Sequence, residues 1–325
     1  MKKTLLIIVA SLLLFLIGCK KDSPIDMPDP TIKEFGLAGT HQVATYTEPD
    51  YDYSTIYYPT DLSSLGKKSP IIFFASGWFS DAQPSTTYKT LLKFMASHGY
   101  TVVYTYEGST TDPQYTINGY KKILDADFAK NNILPYADTT QIGVVGHSAG
   151  GGMALTILDY FSKQKNYGNN GRLLMTLDPW FAFDMDESDI KTLPSNTNVV
   201  FIKFGEGGNN DADGTDARIP LTEYYLLESI ADNKKDYQIF ANADHSYPKG
   251  SGAYSTMQGI LKPLDALMDY TFVEQSERTR SVALDNGNDD PYANGNGIQV
   301  VKPKADYQYP CDGANTLIDY CAIVP

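Results

Sequence analysis

The stretch that decides the fold runs from Gln141 to Leu158 and reads QIGVVGHSAGGGMALTIL. Its first five residues are mostly apolar, as in a short buried strand, and the residues after Gly150 can open a helix. Between them stands a G-x-S-x-G pattern with Ser148 at its centre. Glycines suit a strained turn where strand and helix come close, because larger side chains would clash there. The stretch therefore predicts a serine on a sharp strand-to-helix turn.

The rest of the chain alternates predicted strands with predicted helices. The apolar run Ile71–Ala75 indicates a strand that is buried on both faces, and Val199–Phe204 indicates a further strand. Apolar residues at helical spacing, Tyr88 among them, predict a helix over Pro84–His98, and a second is predicted over Ile117–Asn131. This alternation predicts an α/β domain with a mostly parallel central sheet and helices on both faces. With the serine turn it resembles the α/β-hydrolases, and the resemblance implies that fold.

The N-terminal residues are predicted to lie outside the domain. Residues 1–18 combine two lysines with an apolar run too short for a comfortable membrane span, which indicates a signal peptide. They end before Cys19 in a pattern similar to the bacterial lipobox, whose cysteine is lipidated; an ordinary signal peptide is the alternative. Residues 19–34 are polar and contain prolines, as in a tether. We therefore expect an exported protein of the bacterial cell envelope, anchored to the membrane by an N-terminal lipid.

The hydrolase-like domain is predicted over residues 35–275, and residues 276–325 are predicted to form a C-terminal extension. The extension is rich in turn-forming residues over Asp285–Gly297. Three cysteines occur in the chain, and Cys19 is assigned to the lipid. The other two, Cys311 and Cys321, are predicted to form a disulfide, because the envelope is oxidising.

Charge and motif content disfavour several classes of partner. The formal net charge is −13, and binding to nucleic acid needs a basic face. Residues 209–214 approach a calcium-loop pattern, but Pro220 stands where such a loop needs a glutamate. We therefore expect no nucleic-acid partner, no metal and no cofactor.

A serine nucleophile needs a base, and the chain has four histidines. His147 lies inside the turn, beside the serine rather than facing it. His41 belongs to an early strand, and His98 ends a helix. His245 follows the last predicted strand and fits the order serine, acid, histidine of α/β-hydrolases. His245 is therefore the predicted base.

The acid must lie at a strand end near the histidine. Asp178 directly follows the predicted strand Arg172–Leu177, while the next strand is followed by four other candidates, Glu206, Asp211, Asp213 and Asp216.

A closer resemblance bears on this choice. GHSAGGG at residues 146–152 together with LDPW at residues 177–180 resembles chlorophyllases and platelet-activating-factor acetylhydrolases, which implies Asp178 as the acid. The glycine-rich turn and the Pro-Trp pair are also similar to cutinase-like polyester hydrolases, which implies an acid within Glu206–Asp213. We favour Asp178 and keep Glu206 and Asp211 as alternatives.

The resemblance also predicts an oxyanion hole made of backbone N–H groups. One is that of Ala149, directly after the serine, and the second is that of Trp78, in the loop after Ile71–Ala75. The side chains of Trp78, Phe79 and Trp180 would form apolar walls for an acyl group or a ring. The alternative is that these aromatic residues are ordinary core or loop residues.

Together these residues predict a serine hydrolase that cleaves small-molecule or polymeric carboxylic esters through an acyl-enzyme. Its predicted triad is Ser148, Asp178 and His245. One alternative is a surface lipoprotein that binds ligands on a hydrolase scaffold without catalysis. A second is a peptidase or an acyltransferase with the same triad.

Overall fold

The computed structural model describes residues 34–48, 51–78, 84–106, 112–204, 218–240, 243–250 and 257–284, and the backbone of residues 298–300. Predictions that concern Cys19, Phe79, Glu206, Asp211, Cys311 and Cys321 lie outside these residues.

Nine strands within the described residues form one sheet, in the order β1-β2-β4-β3-β5-β6-β7-β8-β9. Strands β3 to β8 are parallel to one another, and the pairs β1–β2, β2–β4 and β8–β9 are antiparallel. The mostly parallel sheet expected from the sequence is therefore confirmed. The strands are β1 Val43–Glu48, β2 Tyr51–Pro59, β3 Ser69–Ala75, β4 Thr101–Thr105, β5 Ala137–His147, β6 Gly171–Leu177, β7 Thr197–Phe204, β8 Lys235–Phe240 and β9 Ile298–Val300.

Helices cover both faces of this sheet. Strand side chains alternate between the faces, so Ile71 and Phe73 of β3 pack into one core while Ile72 and Phe74 pack into the other. The first core holds residues of α2 to α6, and the second holds residues of α1, α7 and α8. The helices are α1 Lys89–Ser97, α2 Pro113–Asp125, α3 Asp127–Asn132, α4 Ala149–Lys163, α5 Glu187–Lys191, α6 Arg218–Leu226, α7 Gln258–Phe272 and α8 Glu277–Leu284.

Every residue of β3, β4 and β7 is buried, in agreement with the burial on both faces that the apolar run Ile71–Ala75 within β3 predicts. In the part of the chain that the structure describes, no helix is both long enough and apolar enough to cross a membrane.

Two predicted boundaries differ from the structure. The helix expected over Ile117–Asn131 is two helices, because Ala126 has an extended backbone with ψ 143° between α2 and α3. Asp112 caps α2 by accepting a hydrogen bond from the Gln114 N–H, so the helix also starts earlier than predicted. The segment after residue 275 was expected to lie outside the core, yet α8 buries Val282 and Leu284 in it.

Candidate active site

The candidate site lies at the carboxyl edge of the parallel strands, where ligands bind in open α/β sheets. Ser148 follows β5, Asp178 follows β6 and His245 lies in the loop after β8. Because these three strands are parallel members of one sheet, the three residues lie at the same edge of it. The structure places these three predicted residues in one continuous series of hydrogen bonds.

Ser148 has a strained backbone at the junction of β5 and α4. Its φ is 57° and its ψ is −127°, a conformation that side-chain-bearing residues seldom adopt. Its N–H donates to the carbonyl of Leu177 at 3.0 Å, and its own carbonyl accepts from the Trp180 N–H at 2.9 Å. The turn is therefore held by the end of β6 and by the loop that follows it.

The glycines of the turn are required by close backbone approach. A Cβ on Gly150 would overlap the carbonyl oxygens of Ala75 and Ser76, at the end of β3. A Cβ on Gly152 would overlap the carbonyl oxygen of Phe181, in the loop after β6. The first turn of α4 can therefore pack directly on both neighbouring loops, as expected of a turn at which larger side chains would clash.

His245 contacts the other two predicted triad residues. Its Nε2 lies 2.9 Å from Ser148 Oγ, and its Nδ1 lies 2.6 Å from Asp178 Oδ2. The loop around it is fixed locally, because Asp244 Oδ1 accepts hydrogen bonds from the N–H and the hydroxyl of Ser246 at 2.9 and 2.7 Å. With Nδ1 protonated, the imidazole can accept the serine proton at Nε2.

Asp178 is fully buried and is held on both carboxylate oxygens. Oδ2 faces His245, while Oδ1 accepts from Lys203 Nζ at 2.5 Å and from the Phe204 N–H at 3.2 Å. Its own N–H donates to the Ile202 carbonyl at 2.6 Å, and its φ is 46°. Among the described residues, Asp178 is the candidate acid that contacts His245. The other candidates, Glu206, Asp211, Asp213 and Asp216, lie outside the described ranges.

Sequence reasoning missed Lys203. It occupies a buried position of β7 and is only 1% exposed, and its Nζ also donates to the Phe204 carbonyl at 3.1 Å. A charge is seldom buried without a partner. A lysine inside an otherwise apolar strand, one strand away from a candidate acid, was the signal that could have pointed to this ion pair.

The sequence placed His147 beside the serine but did not indicate its hydrogen-bond partners, among them Tyr88. His147 Nδ1 lies 2.9 Å from the hydroxyl of Tyr88, and its Nε2 lies 2.8 Å from the backbone carbonyl of His245. Burial lowers the pKa of His147 well below its ordinary value of 6.5; nearby His245 and Lys249 lower it further, against a raising effect of the backbone hydrogen bond. The ring is therefore neutral near pH 7.

The loop after β3 lies directly beside the serine. A Cβ on Gly77 would lie 3.1 Å from Ser148 Cβ, and the Gly77 N–H donates to the Tyr88 hydroxyl at 3.1 Å. The Gly77 N–H is thus already bonded to Tyr88. The next N–H group along the loop belongs to Trp78, which is the oxyanion donor that the resemblance predicts. Ala149 is the first residue of α4, and the first N–H groups of a helix lack partners within the helix.

Two tryptophans stand together near the serine. Trp78 is 47% exposed as a residue, and its ring centroid lies 6.3 Å from that of Trp180 at an interplanar angle of 36°. Trp180 in turn stacks on Phe181 with centroids 6.1 Å apart. The two tryptophans thus form a continuous aromatic surface, and Trp78 exposes nearly half of its area to solvent.

The remaining histidines have other surroundings. His41 Nδ1 lies 3.0 Å from Asp61 Oδ2, and His98 Nδ1 donates to the Phe94 carbonyl at 2.9 Å. Among the residues that the structure describes, no group of three or more histidine, cysteine, aspartate or glutamate side chains is arranged to hold a metal ion. Comparison of the chain with known protein-family models and with curated proteins gives no match.

Proposed function

We propose that this protein is a serine hydrolase with an α/β-hydrolase fold that cleaves carboxylic esters. The observation that carries the proposal is the hydrogen-bonded chain from Ser148 Oγ through His245 to Asp178, on a serine whose φ is 57°. Nucleophile, base and orienting acid within hydrogen-bond reach are the arrangement that activates a serine hydroxyl.

In the first half of the reaction Ser148 Oγ attacks the carbonyl carbon of the ester. The hydroxyl proton passes to His245 Nε2, and the carbonyl oxygen gains the negative charge. Asp178 Oδ2 holds the imidazole by Nδ1–H and stabilises the imidazolium. His245 then returns the proton to the departing alkoxide, which leaves as an alcohol, and the acyl group stays on Ser148.

The second half repeats these steps with water. His245 Nε2 takes a proton from the water as its oxygen attacks the acyl-enzyme, and the proton then returns to Ser148 Oγ as the acid product leaves. The N–H groups of Ala149 and Trp78 would donate to the carbonyl oxygen in both halves, where charge develops. No cofactor enters these steps.

The paired tryptophans favour esters with an apolar or aromatic acyl group. Flat rings bind well against indole faces, and Trp78 is a half-exposed tryptophan whose ring lies close to that of Trp180. The mature protein would act at the cell envelope, held by the lipid expected on Cys19.

Labelling with a fluorophosphonate probe tests the proposal. The folded wild type is expected to become labelled and to hydrolyse p-nitrophenyl esters, and Ser148→Ala is expected to lose both properties. Ser64→Ala, which changes an exposed serine, is the matched control and should behave as wild type. Absence of labelling in the wild type would refute the proposal and favour a binding protein. Turnover of a matched amide at a rate comparable to that of the ester would favour a peptidase.

A further inference from the structure

The chain contains a second hydrogen-bonded path that ends at the catalytic histidine and does not pass through the triad. His147 is fully buried, and both of its ring nitrogens have partners, Tyr88 on Nδ1 and the His245 carbonyl on Nε2. Its ring also packs against that of His245, with centroids 4.7 Å apart.

The direction of each hydrogen bond in this path is fixed by chemistry. The His245 carbonyl can only accept, so His147 Nε2 carries the hydrogen. In the neutral ring Nδ1 is then an acceptor, and the Tyr88 hydroxyl donates to it. The Tyr88 oxygen in turn accepts from the Gly77 N–H. Each donor in this path therefore meets an acceptor, and each acceptor meets a donor.

The path joins three parts of the site that are far apart in the sequence. Gly77 belongs to the loop with the predicted oxyanion donor, His147 precedes the nucleophile, and His245 is the base. Tyr88 and His147 are 59 residues apart, and His147 and His245 are 98 apart. This one buried series of hydrogen bonds therefore connects the oxyanion loop, the serine turn and the loop of His245.

From this we infer that Tyr88 and His147 are positioning residues for the proposed reaction, holding the oxyanion loop and the backbone of His245 in register with Ser148. The inference rests on the proposed function. Misplacement of reacting groups by about 1 Å can lower a rate about 100-fold. Residues that fix the positions of these groups therefore affect the rate even though they do not contact the substrate. His147 does not compete with His245 as base, since its nitrogens face the Tyr88 hydroxyl and the His245 carbonyl rather than Ser148 Oγ.

The test compares two tyrosine-to-phenylalanine variants. Tyr88→Phe removes only the hydroxyl and leaves the Gly77 N–H and His147 Nδ1 without it. Tyr120→Phe is the matched control, because Tyr120 is equally buried and its hydroxyl has no hydrogen-bond partner among the described residues. We expect Tyr88→Phe to lower kcat about 10- to 100-fold with KM changed less than about 3-fold. Tyr120→Phe should keep both within about 2-fold.

A second pair of variants separates positioning from packing. His147→Gln retains a donor for the His245 carbonyl, whereas His147→Leu retains neither donor nor acceptor. We expect the glutamine variant to keep at least about 10 times the kcat of the leucine variant, in proteins that both fold by circular dichroism. Equal kcat in the two, or equal kcat in Tyr88→Phe and Tyr120→Phe, would overturn the inference.

Hydrogen–deuterium exchange separates failure of this inference from failure of the proposed function. In the same assay, turnover by the wild type and its loss in Ser148→Ala would show that the protein is a serine hydrolase. If the wild type has no turnover, the proposed function is wrong, and the positioning claim is read from exchange in residues 243–250. Exchange there should be faster in Tyr88→Phe than in Tyr120→Phe, and equal rates would overturn the claim.

Discussion

Lys203 and Asp178 form an ion pair inside the protein, with Lys203 Nζ 2.5 Å from Asp178 Oδ1, while Asp178 Oδ2 faces His245. Both side chains are 1% exposed. The acid of the proposed triad is thus held by a cation on one oxygen and by the imidazole on the other. This arrangement fixes the plane of the carboxylate, which in turn fixes the orientation of the histidine ring.

Replacing the lysine should destabilise the fold. Breaking a buried ion pair from one side costs about 3–5 kcal/mol, because a charge stays buried without its partner. The free energy of unfolding measured in urea should be lower by this amount in Lys203→Met. Lys130→Met is the control, since Lys130 lies 3.4 Å from Asp125 on the surface, and it should lose less than about 1 kcal/mol. Similar losses in the two variants would contradict a structural role for the buried pair.

Replacing the acid should leave binding intact and remove most of the rate. Asp178→Asn cannot hold the imidazole in the tautomer needed, and kcat is expected to fall about 10⁴-fold with little change in KM. Glu206→Gln, made in parallel, should retain wild-type kcat. Steady-state kinetics on a p-nitrophenyl ester measure both. Full activity in the asparagine variant would show that the acid lies elsewhere.

The aromatic surface should act on substrate binding. Trp78→Ala keeps its backbone N–H and removes the indole, so KM for an aromatic ester should rise about 10-fold while kcat changes much less. Tyr136→Ala is a suitable control, because it changes an exposed aromatic residue at the opposite end of β5 from Ser148. A fall in kcat alone would show that the indole has a different role.

His147 should make stability depend on pH. Its pKa is lowered in the folded protein, so below its ordinary value of 6.5 the unfolded chain binds a proton that the folded ring does not. Its contribution to stability is therefore complete above about pH 6.5 and decreases by about 1.4 kcal/mol per pH unit as the pH falls toward the folded pKa. The groups around the ring are Tyr88, His245 and Lys249.

Urea unfolding between pH 7 and pH 5 measures this slope. In His147→Gln the component is expected to disappear, because glutamine does not titrate. An unchanged slope would mean that other groups cause the acid sensitivity.

Lipidation at Cys19 is a separate prediction. The wild type expressed in bacteria should incorporate a radiolabelled fatty acid and partition into the membrane fraction, and Cys19→Ser should do neither. A label that persists in the serine variant would contradict the lipobox assignment.

The sheet and the positions of Ser148 and His245 could be predicted because their signals are local. Buried parallel strands read as apolar runs, the glycine-rich turn marks the serine, and chain order selects the histidine. The acid could not be fixed in this way. Asp178 follows β6, and Glu206 and Asp211 follow β7, so all of them come after neighbouring strands whose carboxyl ends meet at one edge.

Other parts of the site depend on contacts between distant segments. Tyr88 fits the apolar stripe of a helix, and nothing nearby in the sequence shows that its hydroxyl meets His147. The break at Ala126 was missed for a related reason, since helical spacing continues across it while the backbone does not. Periodicity reports which face is buried, and it carries no information on which polar atoms meet there.

At position 148 the backbone conformation favours glycine, whereas the proposed chemistry needs a serine hydroxyl there. Four non-glycine residues of the described chain have positive φ, and two of them are Ser148 and Asp178. Such conformations cost of order 1–3 kcal/mol each and persist only where the surroundings impose them. A glycine at position 148 would relieve that cost, so the inactive protein would be more resistant to heat than the active one. In this molecule the proposed nucleophile occupies a backbone position that selection for stability alone would give to glycine.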